Sequence, residues 1–201
     1  MHEAIIIKHL KRDEKLVSLM RAIDFPESKL NENLYASLIV AIINQQLSVA
    51  AAATIHKRFL ALFKNKIPSY NVLLNTQVEK LRNAGVSNQK AGYIKNIAQF
   101  GLEHTLDYHD LKELDDEALI NYLTQIKGVG RWTVEMILMF NFNRLDIFPL
   151  DDIGIQNAIK KLYGIQSSGR ELKAKMITQS ALWIPYRSIA CKYLWRWKDL
   201  K

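Results

Sequence analysis

Apolar residues recur three and four positions apart through most of this 201-residue chain, a spacing that suits α-helices and little else. Strand-like alternation is scarce and there are only four prolines. Pro26, Pro68, Gly85, Gly128, Gly130, Pro149 and Gly164 all fall between the periodic stretches, where chain breaks belong. The pattern predicts helices near 4–22, 33–48, 50–64, 77–83, 88–102, 116–126, 131–141, 152–163, 170–180 and 184–197. No low-complexity tract or long linker interrupts them, so any lobes are expected to pack together.

Composition narrows the partners. With 49% apolar and 24% charged residues the chain reads as globular, and its net charge of +8 favours polyanions, nucleic acid ahead of acidic membranes. The single cysteine, Cys191, excludes an internal disulfide and a cysteine-ligated zinc or iron–sulfur centre, and its apolar setting in IACKYLW reads as core. His2, His9, His56, His104 and His109 have no metal-ligand spacing. The N-terminus MHEAIIIKHLKRDEK lacks a cleavage-site pattern. The richest apolar run, Leu38 to Ala53, is broken by Asn44-Gln45-Gln46 before it reaches spanning length. An intracellular protein without a membrane partner is expected, in cytoplasm and nucleoid or in a nucleus.

One corner is unusual. In 116-DEALINYLTQI-126, Leu119, Ile120, Leu123 and Ile126 share a face, and after Lys127 the chain must reverse through Gly128-Val129-Gly130. That reversal calls for positive φ angles, which glycine supplies cheaply. A second helix restarts at Arg131 with Val134, Ile137 and Leu138 inward. The amides from Gly128 to Thr133 then open a fresh helix N-terminus, which suits an anion such as a phosphate. The plainer alternative is a glycine C-cap joining two core helices. Similarly, Ser87 in GVSNQKAGYI is placed to cap a helix whose start carries Asn88, Gln89 and Lys90.

Downstream, 146-DIFPLDDIGI-155 puts two carboxylates, Asp151 and Asp152, at the start of another amphipathic helix. One aspartate is enough to cap a helix. Here the chain resembles the helix-hairpin-helix DNA glycosylases, and among them the 3-methyladenine DNA glycosylase II (alkylation-repair) family. The residues that carry the resemblance are IKGVGRWTVEMIL, DIFPLDDIGI at the expected distance, and 183-WIPYRSIACKYLWRW-197, with AIINQQLSVAAA and GVSNQKAGYI upstream. It spans roughly Leu34 to Trp197.

The resemblance implies a catalytic role for Asp152 and a phosphate grip by the hairpin, at Gly128, Gly130, Arg131 and Thr133; the helix start at Ser87 and Lys90 is a further candidate DNA contact, since such an end accepts a phosphate. It implies a monovalent cation, Na+ or K+, on the main-chain carbonyls of Thr124, Ile126 and Val129. Gln46 falls where the family inserts a side chain into the gap left by the flipped nucleotide; the alternative is that Gln45 and Gln46 are polar residues on a helix edge. Arg187 either contacts phosphate or braces the active-site helix. Trp132, Trp183 and Tyr186 are expected to contact the base, while Trp195 and Trp197 read as core aromatics. No catalytic cofactor is expected, no iron–sulfur cluster (the family's C-terminal cysteine set is missing) and no N-terminal β domain.

The implied reaction fits those residue types. Breaking an N-glycosidic bond builds positive charge on the sugar, which a carboxylate stabilises, and a carboxylate at a helix N-terminus is favoured in its charged form. A base methylated at N3 of adenine or N7 of guanine is already cationic, so it departs without an acid and is attracted to aromatic faces. Strand-nicking relatives carry a lysine where this chain has Trp132, so water is the implied nucleophile and an abasic site the product. Lys127 reads as a solvated lysine. The expected architecture is therefore all-α, with two helical lobes, a helix-hairpin-helix motif and an active-site cleft between the lobes. The hairpin lobe is expected at 33–151 and the other at 1–32 plus 152–201. The implied protein is a monomeric, monofunctional glycosylase acting on double-stranded DNA with alkylated bases in base excision repair. The alternatives are a non-enzymatic DNA-binding module, which leaves the carboxylate pair unexplained, or a glycosylase for another lesion class.

Overall fold

The structure is a computed structural model that describes residues 2–27 and 30–199. Within them the chain folds as α1 (His2–Leu10), α2 (Glu14–Met20), α3 (Leu34–Asn44), α4 (Val49–Ala61), α5 (Tyr70–Asn75), α6 (Val78–Asn83), α7 (Asn88–Glu103), α8 (Tyr108–Leu111), α9 (Asp116–Leu123), α10 (Arg131–Phe140), α11 (Ile153–Tyr163), α12 (Gly169–Ser180), a 3-10 turn (Ala181–Trp183) and α13 (Arg187–Asp199). No strand occurs among the described residues, and none of their helices is long and apolar enough to cross a membrane. All-α is correct.

Local chemistry explains where the helices differ from the periodicity. The stretch 4–22 is two helices because the Asp13 carboxylate accepts the Lys15 and Leu16 amides at 3.1 Å and starts α2 afresh. The last predicted helix begins at Arg187, not 184, since Pro185 lies just before it and Trp183 ends the 3-10 turn. α5 and α8 are too short to register as periodic patterns and were not anticipated.

Two compact units emerge. The first, Asn31–Ile137, is built on α7. Leu38, Ile39, Ile42 and Ile43 of α3 pack on it with Ala91, Ile94, Ile97 and Ala98 of α7, all buried, and α5 and α6 also pack on α7. Each such large side chain contributes roughly 2 kcal/mol by leaving water.

The second unit joins Met1–Leu30 to Leu138–Lys201. In it α13 packs on α11 and α2, and the 3-10 turn packs on α12 and α1. Asp13 organises this unit: besides capping α2, its carboxylate accepts the Gln179 amide at 3.1 Å, the Trp183 indole at 2.9 Å and the Tyr163 hydroxyl. Burial, and then that carboxylate, push the Tyr163 hydroxyl well above its ordinary range. Cys191 is fully buried in the same core.

The boundary departs from the expected 151/152. Residues 138–151 belong with the C-terminal helices, because hydrogen bonds tie them there. Arg187 grips Asp146 through Nε at 2.7 Å and Nη2 at 2.8 Å, the Ser188 amide donates to the Leu145 carbonyl, and the Ile147 amide donates to Ser188 Oγ. Pro149 falls between α10 and α11, as its place between periodic stretches predicts, and lies within this tied segment. Of the expected N- and C-terminal lobe, residues 1, 28–29 and 200–201 lie outside the described residues.

Candidate functional site

The hairpin is formed by α9, a turn over 124–130, and the start of α10. Its two glycines do different things. Gly128 sits at φ +105°, and a Cβ there would run into the Tyr93 ring, so glycine is required twice over. Gly130 has no positive φ, and nothing lies within 4 Å of where its Cβ would be. The expectation that both glycines supply left-handed backbone is therefore correct only for Gly128. Gly130 leaves a bare backbone surface at the helix start.

The turn is held from outside by side chains that the sequence did not single out as hairpin supports. Asn96 of α7 donates to the Lys127 carbonyl at 3.1 Å, and Gln45 donates to the Gly128 carbonyl at 3.3 Å. The Val129 amide closes onto the Ile126 carbonyl at 2.9 Å. Lys127 itself is exposed, as expected.

Arg131 also has a role within the motif. Its guanidinium pairs with Glu117 of α9 and reaches Glu135 through Nε at 3.3 Å, clasping the two hairpin helices together. Glu117 drives the Arg131 pKa up, and Arg131 in turn holds the Glu117 carboxyl below the usual range. The guanidinium thus serves the motif while more than half of its side chain stays exposed to solvent.

Beside the hairpin lies a cleft of about 500 Å³ wholly within the Asn31–Ile137 unit. Gln46, Ser87, Lys90, Gly128, Gly130 and Thr133 all line it, so the fold gathers most of the expected DNA contacts in one place. Ser87 Oγ accepts the Lys90 amide at 3.3 Å and caps α7 as expected. Thr133 is buried, and Trp132 beside it is half-buried. Gln46 is exposed at φ +55°, a left-handed conformation that a non-glycine residue adopts at a cost of about 1 kcal/mol or more. Lys90 departs from expectation: Nζ turns inward and donates to the Ile43 carbonyl at 2.8 Å and the Gln45 carbonyl at 2.7 Å. Burial lowers its pKa.

The carboxylate pair lies in the other unit. Asp152 is the N-cap of α11: Oδ1 accepts the Ile155 amide at 2.7 Å and also the Trp195 indole N–H at 3.0 Å. The residue is only 9% exposed. Gly154 makes this possible, since a Cβ there would press on Asp152 Oδ1 at 3.0 Å and on the indole at 3.3 Å. Asp151 points elsewhere, exposed and paired with Lys173.

Trp195 is thus a carboxylate partner rather than a plain core aromatic, and Trp197 is part-exposed under Lys161 Nζ at 4.8 Å. The roles of Gly154 and Trp195 are not visible in the sequence, because they depend on the packing of α13 on α11.

The other expected site residues divide. Trp183 is fully buried with its indole on Asp13, so it belongs to the core and cannot meet a base. Tyr186 is half-buried, edge-on to His9 at 5.2 Å. Arg187, bidentate on Asp146, braces the segment leading to Asp152 instead of presenting a free cation. Among the described residues no cluster of His, Cys, Asp or Glu is placed to hold a metal ion.

Residues 39–185, the span holding both the hairpin and Asp152, match the model of the HhH-GPD superfamily base excision DNA repair proteins. The chain belongs to that superfamily. A Schizosaccharomyces pombe relative named DNA-3-methyladenine glycosylase 1 is 34% identical over 202 residues, covering all of this chain and 86% of its own. The Bacillus subtilis protein YfjP is 35% identical over 173 residues; the match covers 83% of this chain but only 60% of that longer protein. Among solved structures, an S. pombe 3-methyladenine DNA glycosylase in complex with abasic DNA superposes with a TM-score of 0.87 at 32% identity, covering 97% of each chain. The HhH-GPD fold is shared over nearly the whole chain.

Proposed function

We propose that this HhH-GPD protein is a monofunctional DNA glycosylase of the DNA-3-methyladenine type. It takes alkylated bases, 3-methyladenine and 7-methylguanine, out of double-stranded DNA and hydrolyses the N-glycosidic bond, leaving an abasic site. The carrying observation is Asp152: a buried carboxylate oriented on one oxygen by its own helix and by an indole, within a family of base excision repair proteins. The S. pombe relative, matched in sequence and in structure, is named a 3-methyladenine DNA glycosylase, and YfjP is named a putative one.

The chemistry follows from the groups present. Flipping the nucleotide costs a few kcal/mol of stacking and pairing. The methylated base leaves with the glycosidic electron pair and becomes neutral, and the sugar takes the positive charge. The Asp152 carboxylate stabilises that charge as water adds to the anomeric carbon and loses a proton. Trp132 offers no amine for attack on the sugar, so the strand is not cut, and its ring is a face for the cationic base. Gln46, strained at the exposed tip between α3 and α4, fills the gap in the stack. The bare backbone at Gly130 and the α10 N-terminus meet a phosphate.

The Thr124, Ile126 and Val129 carbonyls are the implied seat of Na+ or K+. Their oxygens suit a hard cation, and the Ile126 carbonyl also accepts the Val129 amide within the turn. Such an ion would stiffen the turn. The protein acts as a monomer, inside the cell where its DNA is.

The test is base release from methylated duplex DNA, resolved by chromatography, for the native protein and Asp152→Asn. Asparagine keeps an oxygen for the Ile155 amide and the Trp195 indole, so the fold survives while the charge is lost. Release of methylated base by the native protein only, with DNA binding retained by both, is the expected result. Equal release by both proteins removes Asp152 from the mechanism.

A further inference from the structure

The α3–α4 corner poses a mechanical problem. Gln46 must hold an exposed, left-handed conformation at the tip of a turn, yet α3 has just ended and its last carbonyls point out of the helix. One side chain meets those carbonyls. Lys90 Nζ, from the first turn of α7, donates to Ile43 O at 2.8 Å and Gln45 O at 2.7 Å, bracketing Asn44 and ending on the residue before Gln46. The cation thus sits at the negative end of α3, where it is favoured. Gln45 in turn reaches the Gly128 carbonyl of the hairpin, so a single ammonium is connected to both the wedge and the phosphate-gripping turn. All of this lies within the Asn31–Ile137 unit and around one cleft.

We infer that Lys90 is a positioning residue: it touches neither base nor phosphate, but locks the Gln45–Gln46 turn so that Gln46 stands ready to enter the stack. This rests on the reading of Gln46 as the wedge. A neighbour supplies the control. Lys95, five residues along α7, does the same chemistry at the end of α5, donating to the Leu74 carbonyl at 2.8 Å, away from the cleft. A lysine that only staples helix to helix would behave like Lys95.

The experiment uses the full chain and a duplex carrying a tetrahydrofuran abasic analogue opposite 2-aminopurine, whose fluorescence rises when stacking is disturbed. Base release from methylated duplex is measured alongside. Lys90→Met and Gln46→Ala are expected each to lose most of the fluorescence rise, and Lys90→Met to lower kcat about tenfold with KM little changed. Combined, they should lose no more than Gln46→Ala alone. Lys95→Met should lower the melting temperature as much as Lys90→Met yet keep the native fluorescence response. Lys90→Arg, which retains the charge, should restore part of it.

A native response from Lys90→Met while Gln46→Ala loses it overturns the positioning role and leaves the wedge standing. A response unaffected by Gln46→Ala overturns both. A full set of expected fluorescence changes without any base release would instead sink the glycosylase reading and keep Lys90 in its role.

Discussion

The chain contains two Asp-Asp pairs, each opening a helix, and they have opposite fates. At the start of α9, Asp115 accepts the Ala118 amide at 2.7 Å; at the start of α11, Asp152 accepts the Ile155 amide at the same 2.7 Å. Both caps have extended backbones, with φ −70° and −72°. Asp115 is exposed to water. Asp152 is buried, carries an indole N–H on the same oxygen, and is followed by a glycine that lets the indole approach. A helix cap is a local device, satisfied by three residues of sequence. What sets apart the cap proposed as the catalytic carboxylate is tertiary: a side chain from 43 positions further along.

The largest expected effect separates the pairs outright. Asp152→Asn should lower base release by roughly 10³-fold, on the scale of removing a preorganised electrostatic group from a transition state. Asp115→Asn, the same change in the other cap, should leave base release unaltered and stability within about 0.5 kcal/mol. Chromatography of released bases with both variants decides this, and equal losses would end the distinction.

Next comes the burial that sets the α11 start apart, which has a cost on α13. Lys192, one turn before Trp195, is only 7% exposed, donates to the Met139 carbonyl at 3.3 Å and lies over the Phe140 ring. Burial, with Arg196 adding to it, lowers its pKa from 10.5 to about 8. In the window between those values the unfolded chain binds more protons than the native one, so stability should rise as pH climbs from about 8 to 10.5. Below about 8 the cost is fully present. Lys192→Met should therefore stabilise the protein at neutral pH by on the order of 2 kcal/mol and flatten that alkaline rise. Urea unfolding at pH 7 and pH 10 measures both, and an unchanged slope with pH would show that the burial is not costly.

Trp195→Phe sharpens the comparison at closer range. It keeps the ring and removes the donor on Asp152 Oδ1, making the α11 cap more like that of α9. About a tenfold loss in kcat is expected, from one hydrogen bond to a charged group, with Gly154→Ala acting in the same direction by displacing the indole. Steady-state kinetics on methylated duplex, with the melting temperature as control, reads it. A kcat within twofold of native would mean that the cap alone orients Asp152.

How far the sequence reaches follows the same division. The helix spacing, the glycine corner, the Ser87 cap and the Asp-Asp helix start are local patterns, and they were legible. The break of 4–22 at Asp13 and the short α5 and α8 were less so, since helices of six and four residues leave little periodicity. Side-chain direction was not legible at all. Lys90 looks outward until the end of α3 is placed beside it, and Arg131 looks available until Glu117 and Glu135 arrive. Trp183 and Trp195 lie twelve positions apart in one aromatic-rich motif, yet the first is taken by Asp13 and the second by Asp152. Only the tertiary partner tells what each indole does.

The smallest effect closes the comparison from the other side. Asp115→Ala removes the α9 cap altogether and leaves the Ala118 amide to water, at a cost of about 1 kcal/mol. Because α9 is also tied to α10 through Arg131 and Glu117, the hairpin should keep its shape, and base release measured well below the melting temperature should match the native protein. Melting temperature and release assayed on the same preparation test this jointly. A drop in release without further unfolding would show that the α9 start, and not only the α11 start, contributes to the reaction, and that the contrast between the two pairs is one of degree.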